Sequence, residues 1–354
     1  GRDSAVVDKV ASVIDADLIV AGAGPAGLGT ALFAARAGLR TVVLDARPSP
    51  IDKACGEGLM PGAVRALREL GVVPQGQAIC GIRYTDGSQT VDAAFRHGPG
   101  LGVRRTTLQG AMLDAARDAG VEVVASRAQE VRADADGVSV DARRARYLAV
   151  ADGLHSPIRR QLGLEHPPTP TTPPRWGTRQ HFAVTPWTDL VEVHWGPRSE
   201  AYVTPVGPEL VGVAVLSSVR APFSEQLADF PVLCERLPQA GITSILGAGP
   251  LRQKTSTRVA GRVLLVGDAA GYVDALTGEG IAVALACARA LVDCIVADDP
   301  GAYEDRWLAA SRRYRTITSS LLWARRQPLL APHIVQLAAR LPRMFGAAVQ
   351  QLAR

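Results

Sequence analysis

The chain has 354 residues, 47% of them hydrophobic, and a formal net charge of +5. That is enough apolar material for two closely joined globular domains and excludes a disordered chain or a small stapled scaffold. The five cysteines, Cys55, Cys80, Cys234, Cys287 and Cys294, contain no CxxC pair, so neither a zinc site nor a disulfide framework is expected, and no aromatic-interleaved basic platform points to nucleic acid.

Residues 1–15, GRDSAVVDKVASVID, carry acidic residues where an export signal requires an apolar run, and a cytoplasmic location is expected. The run GIAVALACARALV is interrupted by Arg289 and is too short to span a bilayer. The first element of consequence is a strand over Asp17–Ala21, followed directly by GAGPAG at Gly22–Gly27 and a helix of small residues. In this context Gly22 permits a tight strand exit, Gly24 allows backbone to approach a diphosphate, and Gly27 lets the helix sit close to the strand. Pro25 and Ala26 open that helix, whose amino terminus offers unpaired N–H groups to phosphate. A second strand ends at Asp45, placed to bind a ribose 2′-hydroxyl, with Ala46 and Arg47 beside it.

Next comes KACGEGLMPG, Lys53–Gly62, in which three glycines and a proline surround one cysteine and one glutamate. Such permissive backbone suits a segment pressed against a flat ligand. Cys55 and Glu57 are the candidate reactive groups, Glu57 as a proton donor or acceptor. Residues Gly81–Phe95 read as part of a sheet, and VRRTTLQGAMLDAA, Val103–Ala116, as a segment with Arg105, or Arg104 if the register slips by one, at a helix start and Gln109 a second polar candidate.

A strand then runs to Asp152-Gly153, with a helix starting near Ser156 and Pro157. Residues Thr178–Ser218 alternate with period two and are rich in β-branched side chains, which predicts an antiparallel sheet with one covered face. His181, His194, Trp195, Tyr202 and Thr204 are its candidate pocket residues. LGAGPLRQ, Leu246–Gln253, imitates the glycine fingerprint but has Arg252 at the third glycine position, so it is not read as a nucleotide site. A further strand leads into Gly267-Asp268 and then into a long helix opening near Gly278, Gly280 and Ile281. Beyond Asp305 there is no acidic residue, and the arginine-rich helical tail with Trp307, Trp323, Leu329, Leu330, Met344 and Phe345 suits a capping helix or peripheral contact with an anionic membrane.

GxGxxG at the amino terminus, DG after one strand and GDAAG after another together resemble the three signatures of flavoprotein oxidoreductases of the p-hydroxybenzoate hydroxylase and geranylgeranyl reductase type. The resemblance implies an α/β fold: a Rossmann-like, glutathione-reductase-type FAD-binding domain with an inserted antiparallel substrate sheet and a helical carboxyl terminus. It divides the chain into FAD-binding parts at 1–80, 99–175 and 259–300, substrate-sheet parts at 81–98 and 176–258, and a helical region at 301–354. It implies FAD contacts at Asp268, at Arg105, and at the helix facing the flavin from Gly278, Gly280 and Ile281. KACGEG is similar to the segment that runs along the flavin in geranylgeranyl reductases, which implies Cys55 and Gly56 beside the ring.

The leading expectation is an FAD-dependent monooxygenase that uses NADH or NADPH and O2 on a hydrophobic or aromatic small molecule. A reductase of isoprenoid double bonds and a non-catalytic flavin sensor are the alternatives. Flavin-dependent halogenase is disfavoured, because no WxWxIP motif appears and Lys53 is not a convincing counterpart of the halogenase lysine.

Overall fold

The computed structural model describes residues 14–167 and 172–354; the export-signal reading of the amino terminus falls almost wholly outside them. Four strands of aliphatic residues form a parallel core in the order Val263–Leu265, Arg143–Val150, Ala16–Ala21, Thr41–Leu44, extended by parallel Glu122–Val124. Strands buried on both faces read as continuous apolar runs rather than alternating ones, and LIVA and TVVL fit that rule. A hairpin, Val131–Ala133 and Val138–Val140, joins antiparallel to Arg143–Val150. The helices Pro25–Arg36 and Gly280–Val296 lie against each other at Gly29, where an added Cβ would stand 2.6 Å from a Leu285 methyl.

A second sheet runs in the order Leu246–Ala248, Trp176–Phe182, Leu210–Ser217, Ser199–Gly207, Leu190–Trp195, Gly81–Thr85, Thr90–Ala94. Two features correct the expectation of an antiparallel sheet with one covered face. Leu190–Trp195 pairs parallel with Gly81–Thr85, because a long connection rather than a hairpin joins them. Both faces are also covered: Phe182, Val203, Val211, Val213, Val215, Phe223 and Phe230 pack on the side away from the parallel core.

Between the two sheets a small third sheet pairs Gly58–Leu59 and Gln77–Ile79 with Gly100–Gly102. It carries the KACGEG segment across the junction. Helices Tyr303–Arg326, Ile334–Arg340 and Pro342–Leu352 complete the chain. Tyr303–Arg326 is locked to the second sheet by a buried charge network, in which Glu200 accepts from both Arg175 and Arg325, and Arg175 also donates to Asp274. Two cations meet two carboxylates, which is the balance that buried charges require.

Candidate functional site

Where the first strand leaves the parallel core, Gly22 adopts φ +109° and its missing Cβ would overlap the Ala151 carbonyl at 2.2 Å. A Cβ on Gly27 would stand 1.9 Å from the Gly22 carbonyl oxygen. Neither position accepts any other residue, so strand, turn and helix meet at the closest approach that backbone allows. The helix Pro25–Arg36 begins at Gly24 with no side-chain cap, and the helix Gly280–Val296 likewise has no side-chain cap at Glu279. Gly24, Pro25 and Ala26 from the first, and Gly278, Gly280 and Ile281 from the second, line one elongated cavity between the two sheets. Two uncapped helix termini therefore direct partial positive charge into the same space.

Arg105 opens the helix Arg105–Asp118 and reaches towards Gly24, whose Cβ would be 3.9 Å from the guanidinium. Gln109 is 1% exposed, not a solvated helix residue. It donates to the Ala23 carbonyl and accepts from the Ser49 hydroxyl and the Ile51 N–H, tying the loop after the second strand to the glycine turn. Asp45 holds the same turn from outside the cavity wall: it accepts from Ala23 N–H and takes both Arg47 guanidinium contacts. Burial raises its pKa, but Arg47 and the two backbone donors outweigh that and lower it. Arg47 lines the cavity, whereas exposed Ala46 does not.

Asp268 lines the cavity at the turn Gly267–Ala270 and accepts from Lys53 Nζ at 2.7 Å. Burial works against its charge, yet Lys53, Arg105 and Arg159 together hold the carboxyl below its usual range. Arg159, fully buried, pins the turn by donating to the Ala269 and Leu154 carbonyls. Gly153 also lines the cavity, and no atom lies within 4 Å of where its Cβ would be. Asp152 is not on the wall; one oxygen accepts from Ile158 N–H while the other is buried without a partner, and burial raises its pKa.

The Lys53–Gly58 segment forms the border between the cavity's polar and apolar halves. Thr204 donates its hydroxyl proton to the Gly56 carbonyl at 2.8 Å, and Gly56 has open space where a Cβ would stand. Cys55 lies on the wall, its sulfur accepting from Glu57 N–H. Glu57 takes a left-handed backbone, φ +59°, and is 3% exposed. Its Oε1 accepts from Arg105 N–H at 2.9 Å and its Oε2 lies 2.6 Å from His181 Nε2. Gly212 makes room for this carboxylate, since a Cβ there would stand 2.9 Å from Oε2.

His181 Nδ1 lies 3.2 Å from Arg179 Nη1 and 3.0 Å from the Thr243 hydroxyl. A guanidinium only donates, so Nδ1 accepts and the ring proton sits on Nε2, directed at Glu57. The Glu57 carboxylate at the cavity wall thus accepts from both the Arg105 N–H and the His181 ring, with Arg179 Nη2 3.8 Å from its Oε1.

The five expected pocket residues divide. Tyr202 and Thr204 line the cavity, but the Tyr202 hydroxyl is committed to the Leu276 carbonyl at 2.6 Å. His181 stands behind Glu57 rather than on the wall. His194 is corrected outright: Val191 and Val193 point into the cavity, so by strand alternation His194 points away, bonded to Glu192 and edge-on to Phe230. Trp195 packs beyond the cavity's end against Tyr84, ring centres 5.3 Å apart. The imitation fingerprint at Leu246–Gln253 forms an edge strand and a loop, with no helix behind it. Sequence reasoning missed Arg159 and Tyr84, and it set Lys53 aside. Arg159 and Tyr84 carried no motif signal, whereas Lys53 opens the KACGEG segment itself.

The residues present fit FAD. Two glycines with open space at the wall, a helix terminus cradled by glycine and a cation facing it suit a dinucleotide with a diphosphate at its centre. The fold and this site define an FAD-dependent oxidoreductase.

The FAD binding domain family matches residues 15–218, and the chain belongs to it, within the superfamily of p-hydroxybenzoate hydroxylase and the geranylgeranyl reductases. The chain is similar to menaquinone reductase of Mycobacterium tuberculosis, 30% identical over 90% of this chain and 86% of that protein. Digeranylgeranylglycerophospholipid reductase 1 of Methanopyrus kandleri is 28% identical over 82% of this chain and 85% of that one. Among solved structures, flavin-dependent brominase Bmp2 superposes with a TM-score of 0.79 at 15% identity, covering 96% of this chain and 93% of the other; that likeness concerns the fold alone.

Proposed function

We propose that the protein reduces a carbon–carbon double bond in a long aliphatic, prenyl-like substrate. When bound, FAD supplies the two-electron chemistry. NADH or NADPH is the transient electron donor in this reading, supported by the presence of one glycine fingerprint among the described residues. In the site proposed here, Gly22, Gly24, Gly27 and Arg105 hold the diphosphate, while Gly56, Gly153, Asp268 and the Gly278–Ile281 turn border the rest of the coenzyme.

The observation that carries the proposal is Glu57. Beyond it the wall is mainly aliphatic, with Ile82, Val191, Val193, Leu216, Leu251 and Leu276; the Tyr202 and Thr204 hydroxyls there are committed, while Thr178 Oγ1 is buried on the same wall without a partner. An alkene needs no polar recognition. Its saturation needs one hydride and one proton, and a buried carboxyl backed by His181 is placed to hold that proton at the border. Cys55, beside it, orients Glu57 through the Glu57 N–H. The printed activities of the relatives, reduction of menaquinone and of a geranylgeranyl lipid, support the same class of substrate. Anaerobic incubation with reduced flavin and a polyprenyl substrate tests it: saturation of a double bond supports the proposal, and an unchanged substrate contradicts it.

Oxygen insertion with NAD(P)H and O2 is the second reading, supported by Tyr84, Tyr202 and Tyr272 on the cavity wall, which suit an aromatic substrate. The sensor alternative loses its support now that the chain stands among catalytic relatives.

An apolar substrate of this size resides in lipid, and the carboxyl-terminal helices supply a surface for it. Among the described residues no helix is long and apolar enough to cross a membrane. Trp323, Leu329 and Met344 are 60%, 86% and 67% exposed, with Arg340 and Arg343 both exposed nearby in the chain, a combination suited to peripheral contact with anionic lipid. The tail is not uniformly external, however: Trp307 and Phe345 are buried, and Arg325 is committed to Glu200.

A further inference from the structure

A second cavity of 320 Å³ adjoins the first across Gly267, Asp268 and Tyr272, and lies between the segment 252–258 and the helix Tyr303–Arg326. Its character is different. Arg252, Arg258 and Arg315 line it, and the one carboxylate among its described lining residues, Asp268, already serves Lys53. Arg252 and Lys254 stand exposed at the rim with His166, while Arg258 and Arg315 are partly buried within.

Arg258 is paired with Glu304. Arg315 donates to the Ser311 hydroxyl and the Leu308 carbonyl, neither of which carries charge. Both guanidinium groups lie against one indole, that of Trp307, at 3.9 and 5.4 Å from its centre. Burial and the proximity of Arg258 lower the pKa of Arg315, so the fold holds its cation there at a cost. Thr255, 6% exposed, lines the same cavity with its hydroxyl oxygen buried and without a partner. On the outer side Arg326 is disfavoured as a cation by burial and by Arg252, so the neighbouring surface adds positive charge rather than removing it.

We propose that this cavity binds a phosphate or diphosphate group. A tetrahedral anion supplies the missing counter-charge to Arg315 and Arg252, accepts from the Thr255 hydroxyl, and relieves the repulsion between the two guanidinium groups over Trp307. Arginine is suited to this task because its planar fork presents paired donors to phosphate oxygens. Two sources share the chemistry: a nicotinamide dinucleotide, or the diphosphate end of a prenyl substrate whose chain enters the adjoining apolar cavity.

Calorimetric titration of the FAD-loaded protein with inorganic pyrophosphate tests the site without any turnover, so its outcome is independent of whether the enzyme reduces double bonds. Saturable, salt-sensitive binding is expected, weakened about tenfold or more in Arg315→Gln and in the exposed-rim variant Arg252→Gln, each checked by an unchanged flavin spectrum. Displacement of pyrophosphate by nicotinamide dinucleotides assigns the site to the electron donor; displacement by a prenyl diphosphate but not by its alcohol assigns it to the substrate. Absence of pyrophosphate binding, binding that survives both substitutions, or failure of both organic ligands to compete overturns the proposal.

Discussion

His181 Nε2 and Glu57 Oε2 lie 2.6 Å apart, although 124 residues separate them in the chain. Glu57 comes from a glycine-rich loop and His181 from the second sheet, so their contact fastens that loop to the sheet across the cavity. In the proposed reaction the pair also stores the proton.

Glu57→Gln keeps an acceptor for Arg105 N–H but cannot deliver a proton. Flavin reduction by NADH or NADPH is expected to proceed at an unchanged rate, whereas substrate saturation slows by about 10²–10⁴-fold. Stopped-flow measurement of the two half-reactions separates this from a folding defect, which would impair both.

Gly56 and Gly27 predict opposite kinds of failure. Gly56 has open space at its Cβ position, so Gly56→Val is expected to fold with an unchanged apo-protein melting temperature. Its side chain intrudes on the cavity, however, and FAD affinity falls by about tenfold, roughly 1.4 kcal/mol. Gly27→Ala drives a methyl group into the Gly22 carbonyl and is expected to lower both melting temperature and FAD content. Thermal melts beside flavin quantification distinguish the two.

Glu279, 2% exposed at the start of the helix Gly280–Val296, is pushed up to about 7 by burial, with Arg313 and the Thr277 hydroxyl pulling partly the other way. The unfolded chain releases this proton near 4.5 and the folded chain near 7. Between those values the folded state binds more protons, so this group's contribution to stability falls as pH rises through the window and levels off above it. The full loss is roughly 3 kcal/mol at 1.36 kcal/mol per unit. Glu279→Gln is expected to flatten the dependence of melting temperature on pH across this window and to be the more stable form at pH 8, as scanning calorimetry would show.

Replacing Trp323, Leu329 and Met344 together by serine removes the three most exposed large apolar side chains of the carboxyl-terminal region without touching the buried Arg325–Glu200 pair. Sedimentation with anionic vesicles is expected to drop to background while binding of inorganic pyrophosphate is retained. Equal sedimentation of variant and parent would refute peripheral contact through these helices.

The parts of this molecule legible in the sequence were those in which backbone geometry dictates composition. A strand that turns within hydrogen-bonding distance of another strand's carbonyl accepts only glycine, so Gly22 and Gly27 declare themselves, whereas the Gly267-Asp268 turn stands out through the resemblance of GDAAG to a family signature. Side-chain direction was less accessible. In LVEVHW every position from Val191 to Trp195 is buried, so neither polarity nor alternation said which face met the cavity, and His194 was placed on the wrong one. The Glu57–His181 contact depends on how a loop lies over a sheet and on the absence of a side chain at Gly212, and no spacing encodes that. The arginine-rich tail read as one basic face by composition, yet tertiary packing draws Arg315 towards Trp307 and Arg325 into the second sheet.

Mass spectrometry of a polyprenyl substrate after single turnover with the photoreduced FAD-loaded enzyme, under strict exclusion of oxygen, reads double-bond reduction itself. A gain of two hydrogens is expected, both appearing as deuterium in heavy water, because the hydrogen that reduced flavin transfers exchanges with solvent just as the carboxyl proton does. An inert substrate under these conditions that acquires an oxygen atom once air is admitted would contradict the proposed reduction.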